Sequence, residues 1–373
     1  MHRTIRIRSL LLLAGILLTA ACTTEPAATP APTPNPNFRV GLVTDVGTIR
    51  DGTFNEQAHR GASQAAEAYG LDYIYRESVD SEHYDLLIGE MLEQDRNVVV
   101  TVGYLMTGQT LTAAVANPDV YFIGVDQFYE DPPPNLVGLQ FREDEGGFLA
   151  GALAGMMTAS NTVAVIGGEE IPPVVRFVNG FINGVHYSNA DAAVLYVYAE
   201  SFIDPEFGRE TASRFMAQHA DVIFGAGGLT GSFGIFAAAA EGAWVIGVDQ
   251  DEYRTTFDEG ALEGSDRLLT SAIKRVDTAV YQAIVSVLQG DFTGGVVTLS
   301  AAECGVGLAP FHEAADAIPA EVQARLEAIW RALAGGTLTT GASGAADDSA
   351  PEPLGRGEPS VAADAPTLAD CEL

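Results

Sequence analysis

Lysine is almost absent from this chain: Lys274 is the single one in 373 residues, and arginine supplies the other 18 basic side chains. Positive charge of either kind is scarce, since 19 basic residues stand against 50 acidic ones for a formal net charge of −31. So acidic a chain cannot neutralise a phosphate backbone, which excludes nucleic acid as a partner. The surplus carboxylates read as a solubilising surface. Cysteine is equally sparse, with Cys22, Cys304 and Cys371 only, which excludes a disulfide-built scaffold. Cys304 and Cys371 either pair, pinning the chain's end to its body, or stay as thiols. Beyond the first stretch the histidines are His59, His83, His186, His219 and His312, with no zinc-site spacing among them, and no G-x-S-x-G elbow occurs. No metal, no cofactor and no enzymatic activity are therefore expected.

Long apolar runs are also missing, apart from residues 10–18. That run is too short to cross a bilayer, and it follows Arg3, Arg6 and Arg8 and precedes small residues, the pattern of a secretory signal peptide over 1–21. Cys22 after Thr-Ala-Ala resembles the bacterial lipobox, which implies a lipidated cysteine and a protein held on the membrane, facing the periplasm or the outside. Residues 22–37 carry Pro26, Pro30, Pro32, Pro34 and Pro36 and read as an extended tether. Residues 341–373, rich in Gly, Ala, Pro and acid, read as a largely disordered tail.

The body between them, about 300 residues, is long enough for two cores. Short β-branched runs (FRVGLVTD, YIYRES, NVVVTVG, VYFIGVD) alternate with helical patterns, and after LVGLQF the cycle repeats through TVAVIGG, AVLYVYA, DVIFGAGG and AWVIGVD. Continuous apolar strands separated by helices indicate parallel sheets covered on both faces, and two sets indicate two doubly wound α/β lobes. The later segments LLTSAIK and VVTLS either extend the second sheet or return the chain to the first lobe.

Ligands bind beyond the carboxyl ends of strands in open α/β sheets. Three strands end in aspartate, at Asp45, Asp126 and Asp249, and the last two share the stretch IGVD, one in each set. An ionised carboxylate accepts hydrogen bonds from two neighbouring hydroxyls, which suits a sugar. Phe54 and Asn55 open the first helix, where a ring can stack on a planar ligand and an amide can address a heterocycle edge. The run GAGGLTG approximates a dinucleotide fingerprint, but its last glycine, Gly231, falls one place too far for GxGxxG. The same glycines let a helix N-terminus offer backbone N–H groups to a polar ligand.

TDVGTIRDGTFNEQAHRGA, FIGVDQF, LQFREDEGGFLAGALAG, PPVVRFVNGFINGV, AESFIDPEFGRETA, ADVIFGAGGLTG, VIGVDQDEY, LLTSAIKRVDTAVY and GVGLAPFHEAADAIPAEVQARL, in this order, resemble the basic membrane protein family of PnrA-like nucleoside-binding lipoproteins. The resemblance covers about Phe38 to Thr340. It implies a type I periplasmic-binding-protein fold with a three-crossover hinge, lobe 1 over 38–141 plus 250–297 and lobe 2 over 142–249 plus 298–340. It implies the substrate-binding component of an ABC importer, working with a membrane permease and taking a purine nucleoside. Carried over by motif, Phe54 and Phe202 would stack on the base, with Phe177 and Phe207 as competitors for the second position. Asn55 and Asp126 would address the base edge, while Asp249, Lys274 and the Gly228 backbone would hold the ribose. Asp45 would begin the first ligand loop, and Tyr104 is a further candidate. TIRDGTFN departs from the family's DINDKSFN-like loop, so Arg50 and Gly52 would alter the rim. The alternatives are a tethered sensor and a binder of a sugar or other small polar solute.

Overall fold

The structure, a computed structural model, describes residues 35–342, 361 and 365–371. The expected signal peptide, Cys22, most of the tether and most of the tail lie outside the described residues.

In chain order the first half runs β1 (Arg39–Val46), α1 (Phe54–Tyr69), β2 (Asp72–Ser78), α2 (Tyr84–Glu93), β3 (Val98–Val102), α3 (Thr107–Ala116), β4 (Tyr121–Val125) and β5 (Leu136–Phe141). The second repeats the scheme: α4 (Glu143–Met157), β6 (Thr162–Gly167), α5 (Pro172–Ser188), β7 (Ala193–Tyr198), α6 (Pro205–Met216), β8 (Val222–Ala226), α7 (Gly228–Ala240), β9 (Trp244–Asp249) and β10 (Leu268–Lys274). Then follow α8 (Val276–Gln289), β11 (Gly295–Leu299), β12 (Val306–Leu308) and α9 (Ala320–Ala334). The strands form two six-stranded sheets, ordered β2-β1-β3-β4-β5-β11 and β7-β6-β8-β9-β10-β12. All pairings are parallel except that of β12 with β10. Interior strands such as β3, VVVTV, are buried along their whole length, as strands covered by helices on both faces must be.

The chain passes between sheets after β5, after β10, and again between β11 and β12. β10 therefore belongs to the second sheet, whereas the boundaries 38–141 plus 250–297 assigned it to lobe 1. Only α8 and β11 return to the first lobe. All seven residues of β10 are buried, because it lies between β9 and β12. It is the counterpart of β5: each follows an IGVD strand through an irregular connection and each is followed by an arginine, Arg142 or Arg275, opening a helix in the other lobe.

Close helix packing explains the glycine-rich sequence of α4 and α5. A Cβ on Gly147 or Gly151 would stand 2.2 or 2.0 Å from the carbonyl oxygen of Phe177 or Phe181, and one on Gly180 or Gly184 would meet Asp144 or Phe148 just as closely. Four missing side chains let two backbones touch.

A disulfide joins Cys304, between β11 and β12, to Cys371. Beside it Leu368 N–H donates to Glu327 of α9, so the end of the tail is fastened to the body.

Candidate ligand cleft

Strand register determines which residues meet at the cleft. Val102 of β3 pairs with Val125 of β4, so Gly103 and Asp126 leave the first sheet side by side. In the second sheet Ile273 pairs with Asp249, which brings Lys274 next to the end of β9. Both aspartates that end an IGVD run take positive φ, +60° for Asp126 and +65° for Asp249, a conformation that aspartate tolerates better than most residues.

A cavity of about 680 Å³, counting its open mouth, lies between the lobes. Asp45, Phe54, Asn55, Tyr104, Asp126, Phe202, Gly228, Asp249 and Lys274 all line it. Phe177 lines it as well, although its ring packs edge-on against Phe224 in the core. Phe207 is not among the lining residues and instead lies under the Arg214 guanidinium on α6. Phe202 is seated by glycine: a Cβ on Gly168 would be 2.3 Å from its ring, and one on Gly228, with φ +55°, would stand 3.2 Å from its carbonyl oxygen.

Two polar side chains to which the sequence reading gave no role also line the cleft, Asp51 and Thr53. Asp51 accepts from the N–H groups of Thr53, Asn55 and Glu56 at 2.9, 2.9 and 3.1 Å, which satisfies the first turn of α1 with a carboxylate. Asp-x-x-x-x-Glu, Asp51 to Glu56, at the start of an amphipathic run was the available signal. The Thr53 hydroxyl is buried with no described partner. Asn55 accepts from Asp45 N–H at 2.9 Å, which leaves its NH₂ group without a described acceptor.

Lys274 is 2% exposed and its ammonium lies 2.6 Å from Asp126 Oδ2 and 2.8 Å from Glu143 Oε1. It also stands 5.0 Å from the ring centroids of both Phe54 and Phe141. Arg176 of α5 holds the other oxygen of Glu143 at 2.6 Å. The lysine is thus the centre of a buried string, Asp126–Lys274–Glu143–Arg176, across the lobes at the first two crossovers. The ammonium donates a hydrogen bond to Asp126 Oδ2 and meets Glu143 Oε1 as an ion pair, which leaves donor capacity for a ligand. Burial favours the uncharged amine, but Asp126, Glu143 and Asp249 outweigh it and hold Lys274 protonated. Burial likewise pushes Glu143 up, and Arg176 and Lys274 more than reverse the effect.

The other carboxyls are less well matched. Burial pushes Asp126 up to about 6 against the pull of Lys274, and its Oδ1 is a buried acceptor without a described donor. Burial raises Asp249 to about 7, again against Lys274, and no described hydrogen bond reaches its carboxylate. Asp45 goes to about 6 by burial, but it receives hydrogen bonds from the Tyr84 hydroxyl and from Val46 N–H, so its Oδ1 is already committed. At the second lobe's rim α7 begins without a side-chain cap, and Ala226, Gly227, Gly228 and Leu229 face the cavity.

Two parallel-sheet lobes that exchange the chain three times around one polar and aromatic cleft define a solute-binding protein of the type I periplasmic-binding class, not an enzyme. Residues 38–332 match the family described as ABC transporter substrate-binding protein, PnrA-like, and the chain belongs to it. Among relatives, a CD4+ T-cell-stimulating antigen of Listeria monocytogenes is 31% identical over 81% of this chain and 87% of its own length. An ABC transporter nucleoside-binding protein, BmpA, of Lactococcus lactis is 29% identical over 80% of this chain and 89% of its own. A solved ABC-transporter solute-binding protein from Aeropyrum pernix superposes with a TM-score of 0.73 at 26% identity, covering 81% of this chain and 92% of that one.

Proposed function

We propose that this substrate-binding protein delivers a purine nucleoside to an ABC permease, from a position outside the cytoplasm where lipidated Cys22 holds it on the membrane. The observation that carries the ligand class is one cavity lined by Asp126, whose Oδ1 is a buried acceptor without a described donor, by Asp249, whose carboxylate no described hydrogen bond reaches, and by aromatic rings from opposite lobes, Phe54 and Phe202. A buried acceptor without a donor costs about 1–3 kcal/mol, which a ligand rich in N–H and O–H groups relieves on binding. A purine between two phenylalanines hides both faces from water, each ring pair adding about 0.5–1.5 kcal/mol beyond area burial. Asp249 then receives the vicinal ribose hydroxyls, Lys274 and the α7 backbone donate to sugar oxygens, and Asn55 and Asp126 address the base edge.

The same geometry disfavours a nucleotide. Asp51 already occupies the α1 N-terminus, and the one lysine is neutralised by Asp126 and Glu143. A phosphate would add charge beside Asp45, Asp51, Asp126 and Asp249. A thermal-shift screen against nucleosides, bases and pentoses tests the assignment. Purine nucleosides are expected to raise Tm and Phe54→Ala to abolish the shift; stabilisation by free sugars alone would refute it.

A further inference from the structure

We infer that Gln57 and Arg60, which lie outside the ligand cleft, form an interlobe latch that positions Asp249 and holds the cleft closed. They stand one turn apart on α1 in the first lobe. Gln57 donates from Nε2 to the backbone carbonyl of Asp249 in the second lobe at 3.1 Å. Arg60 donates to Gln57 Oε1 at 2.6 Å, to Gln250 Oε1 of the second lobe at 3.2 Å, and to Asp277 Oδ2 of α8 at 3.0 Å. Asp277 is anchored in turn by Arg275, the residue at the second crossover. A third bond crosses the gap in the opposite sense, the Thr255 hydroxyl of the second lobe donating to the Gly52 carbonyl of the first at 3.0 Å.

This row exists because α1 lies directly on α8: a Cβ on Gly61 would stand 2.2 Å from the Asp277 carbonyl oxygen, so the missing side chain brings Arg60 to its anchor. Gln57 is 1% exposed, whereas the Arg60 side chain is 39% exposed, so the latch joins a dry contact to a wet one. The carbonyl that Gln57 holds belongs to a residue of positive φ, whose carboxylate faces the cavity. Opening the lobes breaks the bond and frees that backbone. Closure and the presentation of Asp249 are one event.

The inference rests on the nucleoside reading for its ligand, not for its mechanics. The test uses Arg60→Met and Gln57→Met in the full chain, with hydrogen exchange by mass spectrometry and dissociation rates for adenosine, guanosine and inosine. Faster exchange over residues 103–106 and 226–230, which neither side chain touches, is expected without ligand, with nucleoside dissociation accelerated about tenfold. Arg60→Lys, which keeps the charge on Asp277 but loses the fork, should fall between. Exchange changes confined to α1 and residues 250–257, or unchanged dissociation rates, would overturn the latch. If no nucleoside binds the wild type while 103–106 and 226–230 still respond, the latch stands and the nucleoside reading falls.

Discussion

Asp249 has its carboxyl pushed up to about 7 by burial, with Lys274 opposing, and no described donor reaches it. Ribose hydroxyls favour the ionised form, so a bound nucleoside lowers this pKa and releases a proton near neutrality. Affinity is accordingly complete above about pH 7 and falls as pH drops below it, by up to tenfold per unit, with Asp126 adding to the loss below about 6. Calorimetry from pH 5.5 to 8.5 in buffers of different ionisation enthalpy checks both the slope and the proton release. A flat profile would remove Asp249 from the sugar site. Lys274 gives a second test, since Lys274→Met strands Asp126 and Glu143 in the interior and should cost about 3–5 kcal/mol of stability. Lys274→Arg keeps the charge but forces a wide group between Phe54 and Phe141. It should weaken binding at least tenfold with a smaller fall in Tm than the methionine variant shows.

At this scale the sequence was most legible where strand ends carry unusual residues. The repeated IGVD, the FN pair after the first strand and the lone lysine all led to the cleft. The ionic partners of Lys274 were not legible. Glu143 opens a helix among other acids, as a residue favourable to the helix dipole would, and only the crossover geometry sets it against the ammonium.

Among the elements, β10 is the lesson in reading order. Strand and helix periodicity revealed its existence but not its sheet, because a parallel strand buried on both faces looks the same in either lobe. The internal parallel with β5, an IGVD strand, an irregular connection, a strand, then arginine and a helix, places it correctly. The helices give a stability test. Gly151→Ala puts a methyl group 2.0 Å from the Phe181 carbonyl oxygen, so α4 and α5 must separate, at a cost of about 1–3 kcal/mol or more. Gly89→Ala, where the new Cβ has nothing within 4 Å on exposed-side α2, should by contrast leave Tm unchanged or raise it. Denaturant melts of the two variants make the comparison; equal effects would contradict tight α4–α5 packing.

The whole molecule is organised as two sheets whose hinge-side edges, β5 with β11 and β10 with β12, carry the crossovers. The buried ionic string lies at that edge, and the α1 latch crosses the gap from the first lobe to the end of β9. Closure therefore assembles the cleft from both sides at once, which is why its lining residues are scattered from Asp45 to Lys274 along the chain. The class of fold was readable from alternation of elements. The contacts between lobes were not, since residues such as Arg60 and Gln250 lie 190 positions apart and carry no pattern of their own.

The central claim, a cleft built for a neutral purine nucleoside, is tested most directly by isothermal titration at pH 8 with a purine nucleoside, its 2′-deoxy analogue and its 5′-monophosphate. The account predicts one site per chain, tenfold or greater weakening on loss of the 2′-hydroxyl, and still weaker binding of the monophosphate. Tighter binding of the monophosphate than of the nucleoside, or no nucleoside binding at all, would contradict it.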